Sequence, residues 1–126
     1  MSILTETRHA AEFILSEAAG QRSRDNATLA SGNNLQAGTV LALDTSSTPT
    51  STVYTKWDGS RDSSNTHDPY PVAVLINDTD ATSAAKACAV IARDAEVNKN
   101  LLVAPTQTEE QDDMIRLLKL VGIICR

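Results

Sequence analysis

Two short apolar runs, each closed by a polar cluster, limit what this chain can fold into. Val72-Ala73-Val74-Leu75-Ile76 ends at Asn77-Asp78-Thr79-Asp80, and Ala87-Cys88-Ala89-Val90-Ile91-Ala92 ends at Arg93-Asp94-Ala95-Glu96. Runs of this kind read as strands buried on both faces. The polar side chains that follow bond their own backbone and favour turns. Small residues dominate the second run, so whatever covers it comes close. The stretch from Pro71 to Val97 is therefore expected to form the centre of a small β-rich domain, which the rest of the chain completes or hangs from.

What can cover those strands is restricted by composition. Aromatic residues make up 3% of the 126 residues, with one Trp and one Phe. The core has to come from Val, Ile, Leu and Ala, and it is thin. One domain is expected at this length. A thin-cored small domain gains from association with copies or partners. The net charge of −5 and pI of about 4.8 argue against nucleic acid as a partner, because such binding needs a basic face. Arg22 and Arg24 are the nearest approach to a basic cluster, and Asp25 sits beside them. Anionic membranes are disfavoured for the same reason. No run approaches the roughly 18 apolar residues of a spanning helix, and the N-terminus lacks the apolar stretch of a signal peptide. The chain is expected to be made and used without secretion, with Cys88 and Cys125 as reduced thiols packed as small hydrophobes.

Residues 1 to about 28 differ from the rest. They are rich in charge and carry one apolar island, Phe13-Ile14-Leu15. Ala10 to Ala19 fits a short helix stopped by Gly20, and equally an extended arm in which Phe13 and Leu15 point one way. The expectation is an arm, mobile when free and ordered by a partner. Thr39 to Leu43 is read as a strand, and Asp44 to Ser51 as a polar loop. Thr52 to Trp57 is read as a half-exposed strand with Val53, Thr55 and Trp57 on one face. Ser60 to Pro71 is a surface loop, and Leu101 to Ala104 a last short apolar run. Thr106 to Val121 is the one clear helix. Thr108 with Gln111, or Thr106 with Glu109, fits a capping box. Acidic residues crowd its start, and Arg116 and Lys119 come later, as the helix dipole favours. Met114, Leu117, Leu118 and Val121 form its apolar stripe. Gly122 stops it, and Ile123-Ile124-Cys125 reads as a strand returning to the sheet.

No constellation for catalysis is visible. His9 and His67 lie apart from any Ser or Cys that a hydrolytic triad would need. The cluster at Asp78 fails as a calcium loop, because its sixth and twelfth positions are Ser83 and Ala89 rather than Gly and Glu. The glycines at 20, 32, 38, 59 and 122 are too dispersed for a phosphate loop. No catalytic residue, cofactor or metal site is read. Trp57, at a strand end, is either a core anchor or a contact between copies.

The residues do carry a resemblance, spread in order over nearly the whole chain. Its parts are Leu4-Thr5-Glu6-Thr7-Arg8-His9-Ala10-Ala11-Glu12-Phe13-Ile14-Leu15-Ser16-Glu17-Ala18 with Arg22-Ser23-Arg24, then Leu35-Gln36-Ala37-Gly38-Thr39-Val40-Leu41. Trp57-Asp58-Gly59, Val74-Leu75-Ile76 with Asp80-Ala81-Thr82, Arg93-Asp94-Ala95-Glu96-Val97 and the C-terminal helix with Gly122-Ile123-Ile124-Cys125-Arg126 complete it. In these the chain resembles the head decoration proteins of tailed bacteriophages, the family of the lambda head decoration protein D.

The resemblance implies a structural role without enzymatic activity. It implies a homotrimer on the outer surface of the expanded phage head, at three-fold and quasi-three-fold positions, bound to the major capsid protein and stabilising the shell against packaged DNA. The expected fold is α+β and β-rich, a small barrel-like or sandwich-like domain with one C-terminal helix and a flexible N-terminal arm. Residues 1–28 would be the capsid-binding arm and residues 29–126 the decoration domain. Expected capsid contacts are Leu4, Phe13, Ile14, Leu15, Arg22 and Arg24, with the arm suited to adding a strand to a sheet edge on a capsid subunit. The alternative is a small β-barrel carrier or ligand-binding domain, on the flavour of Ala37-Gly38-Thr39-Val40-Leu41. Neither Lys56 nor Lys86 fits the hairpin lysine that a lipoyl-type carrier needs.

Overall fold

The computed structural model describes residues 3–4, 6, 9–43, 53–59, 71–105 and 107–126. In chain order the strands are β1 (Ile14–Glu17), β2 (Arg24–Leu29), β3 (Asn33–Leu35), β4 (Val40–Leu43), β5 (Val53–Lys56), β6 (Pro71–Leu75), β7 (Thr79–Ala81), β8 (Lys86–Ile91), β9 (Ala95–Val97) and β10 (Ile123–Cys125). A 3-10 turn spans Lys99–Leu101, and helix α1 spans Thr108–Leu120. The loops expected at Asp44 to Ser51 and within Ser60 to Tyr70, with His67, lie outside the described residues, as does Thr106.

Strands β2, β5, β4, β6 and β8 close in that order into a barrel. The two central runs are β6 and β8, paired antiparallel with Val74 opposite Ile91 and Leu75 opposite Val90. Their lack of polar alternation has a simple cause: both faces are covered. Ala73, Leu75 and Val90 join Ala27, Leu29, Leu41 and Tyr54, one cluster fed by all five strands, and this is the barrel interior. Their neighbours Val74, Ile76 and Ile91 join Val40 and Ala42 in a second cluster on the outside. That outer cluster is covered by Phe13, Trp57, Ala95, Val97, Ile123 and the Met114 and Leu118 side chains of α1. Strand periodicity thus divides each run between two cores. The scarcity of large side chains is met by two thin layers rather than one thick one.

A three-stranded sheet in the order β1-β9-β10 packs over the outer cluster. β10 runs parallel to β9, with Ile123 opposite Ala95. The C-terminal strand returns as expected, but to this second sheet and not to the barrel. Gly122 makes the reversal possible. Its φ is +91, and a Cβ there would stand 3.1 Å from the backbone nitrogen of Asp94. β3 and β7 form a two-stranded ribbon from residues read as turns. Pairing with a distant partner overrides the local turn preference of Asn33-Asn34 and Thr79-Asp80. The Asp78 carboxylate accepts the Ala37 backbone N–H at 2.8 Å, so this acidic turn holds another turn.

The helix begins one step later than the sequence indicates. Gln107 is its N-cap, with extended backbone and no side-chain cap bond. The Thr108–Gln111 capping box does not operate, since Thr108 already lies inside the helix, and the pairing of Thr106 with Glu109 falls outside the described residues. Glu109 and Glu110 do occupy the first turn and Lys119 the last. Leu101 to Ala104 is not a strand: after the 3-10 turn, Val103 makes only a bridge to Thr39. No helix among the described residues is long and apolar enough to cross a membrane.

Candidate interaction surface

The N-terminal residues divide at Ala11. Ile3 and Leu4 are 88% and 95% exposed, while His9 contacts the Glu6 carboxylate at 2.7 Å. From Ala11 the chain is fixed to the body. Its backbone N–H donates to Ile76 O at 3.0 Å, and its φ of 60 turns the chain sharply. Phe13 follows at 1% exposure, and its carbonyl accepts the Asn98 N–H at 2.8 Å.

Phe13 is therefore a core residue rather than a surface contact. With aromatic rings this scarce, the outer cluster uses the one Phe available. The expected pairing of Phe13 with Leu15 on one face also fails. β1 carries a bulge between Ile14 and Ser16, where Ile14 pairs with Val97 and Ser16 with Glu96. The extra residue is Leu15, which is displaced outward and 53% exposed. Ile14 is half-buried against the outer cluster. A break at residue 28 does not coincide with the fold either, because Arg24–Leu29 is a barrel strand, paired residue for residue with β8.

Arg22 and Arg24 both lie at the surface, and both are already paired. The Arg24 guanidinium donates twice to the Glu17 carboxylate, at 2.9 Å and 2.7 Å. This contact holds Glu17 below its ordinary carboxylate range. Arg22 Nε stands 3.3 Å from Asp94. Arg93 donates to the Arg22 carbonyl at 2.7 Å and pairs with Asp25. Between them lies Ser23, fully buried. Its hydroxyl donates to Asp94 O at 2.8 Å and accepts the Ala18 N–H at 3.0 Å. Further along, Ser16 Oγ donates to Glu96 at 3.0 Å, and Arg126 donates to the same carboxylate at 2.9 Å. These two bonds and the Arg126 charge lower the Glu96 pKa. The pairings Ser23–Asp94, Arg93–Asp25 and Arg126–Glu96 could not be read from sequence, because their members lie tens of residues apart.

Trp57 is 1% exposed within the outer cluster, so of its two readings the fold takes the core anchor. Cys88 and Cys125 are free thiols, and burial raises the pKa of both. Among the described residues no group of three His, Cys, Asp or Glu could hold a metal. A groove of about 350 Å³ runs between Lys99–Leu102 and α1, and one of about 440 Å³ lies beside Glu17, Arg24 and Ala89. Neither is lined, among the described residues, by a Ser, Cys or His. Lys56 and Lys86 stand exposed, at the end of β5 and the start of β8.

A search of curated proteins returns no match to the chain. The family model described as bacteriophage lambda head decoration protein D matches residues 3–123, nearly the full length. The chain belongs to that family, whose members are structural proteins of the phage capsid rather than enzymes.

Proposed function

We propose that the protein decorates the outside of the expanded phage head as a homotrimer at three-fold and quasi-three-fold positions. There it binds the major capsid protein and stabilises the shell against the pressure of packaged DNA. The observation that carries this reading is the family match over residues 3–123. The charge is in keeping with it: an acidic chain of net −5 suits an outer surface away from DNA.

The capsid-binding arm consists of the residues before Ala11, with Leu4 as its exposed apolar contact. Leu15 and the exposed parts of Ile14, Arg22 and Arg24 extend the contact along the body. Phe13 roots the arm, fixing the point from which it leaves. Apolar side chains on a segment that pairs with a sheet edge combine backbone affinity with side-chain specificity.

Co-sedimentation with cognate capsids tests the proposal. The full chain is expected to bind expanded shells saturably, in near-equal number to capsid subunits, and to leave unexpanded shells bare. A chain lacking residues 2–9 is expected to keep its circular dichroism and lose binding. Failure of the full chain to bind either shell overturns the function, and full binding by the truncated chain overturns the arm.

A further inference from the structure

Between Ile14 and Ser23 the chain lies across the body with one fully buried side chain, and that side chain is the hydroxyl of Ser23. Apolar anchors stand on either side, Phe13 before it and Ala27 and Leu29 after it. What holds the intervening stretch is polar. Glu17 on β1 faces Arg24 on β2. Asp94, in the turn after β8, faces Arg22 and has Gly122 at its back. Asp25 on β2 faces Arg93, with the Tyr54 ring of β5 in electrostatic reach of both. Glu96 on β9 faces Ser16 from β1 and Arg126 from beyond β10.

We propose that Ile14–Ser23 is a strap that acid releases. Protonation of Glu17, which holds Arg24, and of Glu96, which holds Ser16 and Arg126, frees the strap between its anchors at Phe13 and Ala27 while the barrel stays closed. Each protonated carboxyl leaves its arginine facing an uncharged group. Arg24 and Arg126 then lose their carboxylate partners. The barrel interior is built from Ala, Leu, Val and the Tyr54 ring, so the same acid removes nothing there. Exposed ion pairs are individually weak, yet beyond Ile14 on the outer cluster and the backbone pairing of β1 with β9, little apolar burial stands behind them in this segment. Regions of this kind open locally before the whole molecule does. The inference is independent of what the N-terminal arm binds.

Hydrogen exchange of the full chain at neutral pH and at about pH 3.5, corrected for the intrinsic pH dependence of exchange, tests it. Amides of Ile14–Glu17 are expected to lose about tenfold more protection in acid than those of β4, β6 and β8. A chain carrying Glu17→Gln and Glu96→Gln is expected to show the loosened strap already at neutral pH. The wild-type comparison decides alone should that variant not fold. A strap and barrel that lose protection together, or a strap indifferent to acid, overturns the proposal.

Discussion

A methyl group placed on Gly59 would stand 2.7 Å from Cδ of Glu110. The turn that follows Trp57 and the first turn of α1 meet where the Glu110 carboxyl has to move aside to admit a side chain. The φ of Gly59 is +88, a conformation that costs other residues roughly 1–2 kcal/mol. Gly59→Ala is therefore expected to lower stability by at least about that much in urea denaturation. Adding Glu110→Ala should relieve the contact but leave the backbone cost. Full recovery in the double variant would show that only the contact matters.

Phe13 and Leu15 lie two residues apart and are expected to respond oppositely. Phe13→Ala empties a fully buried site in the outer cluster and is expected to cost about 3–5 kcal/mol. Leu15→Ala, at an exposed bulge, is expected to change stability by under about 0.5 kcal/mol. Chemical denaturation of the two variants checks the assignment. Equal effects would contradict the placement of Phe13 in the core.

Ser23→Ala leaves the Ala18 N–H and Asp94 O without their shared partner. Orphaning partly buried backbone groups is expected to cost about 1–3 kcal/mol. Ser23→Thr keeps the hydroxyl and adds a methyl where no space is exposed, so it is not a neutral control. Ser23→Cys, nearly isosteric, is expected to lose most of the same energy, because a thiol is a weak donor and acceptor.

Glu17 and Glu96 have pKa values below the ordinary 4.5. A group depressed in the folded state contributes stability that is complete above its unfolded value and is lost as pH falls through the folded one. The urea midpoint is thus expected to be level down to about pH 5 and to decline below about pH 4.5. Glu17→Gln with Glu96→Gln should flatten the decline and leave the barrel folded.

How much was legible in sequence depended on where each residue's partner lies. β6, β8 and β4 announce themselves because burial on both faces leaves an uninterrupted apolar run. α1 does so through its Met114–Leu118 stripe and the charge gradient along it. β3, β7 and β9 are three residues each, too short to show a period; only pairing with distant segments makes them strands. Phe13-Ile14-Leu15 marked an apolar island without showing which residue goes inward, because the bulge that parts them is set by the register against β9. The charge pairs around Ser23 were hidden for the same reason. Arg22 and Arg24 stood out as a basic cluster, but their neutralising partners include Asp94, far along the chain.

The order of strands around the barrel also bears on how the protein comes off the ribosome. β2 is the first barrel strand made and β8 the last, and their six-residue ladder from Arg24–Ile91 to Leu29–Lys86 closes the ring. β1 likewise waits for β9, which in turn waits for β10 at the C-terminus. Closure of the ring therefore waits for β8. Contacts this distant in sequence place folding at the slow end for a small domain, in the range of milliseconds to seconds. Until then the apolar strands β4 and β6 have open edges, the interval in which newly made chains are most prone to pair with one another. Once β8 docks on β2 the ring has no edge left, and that route to aggregation is shut.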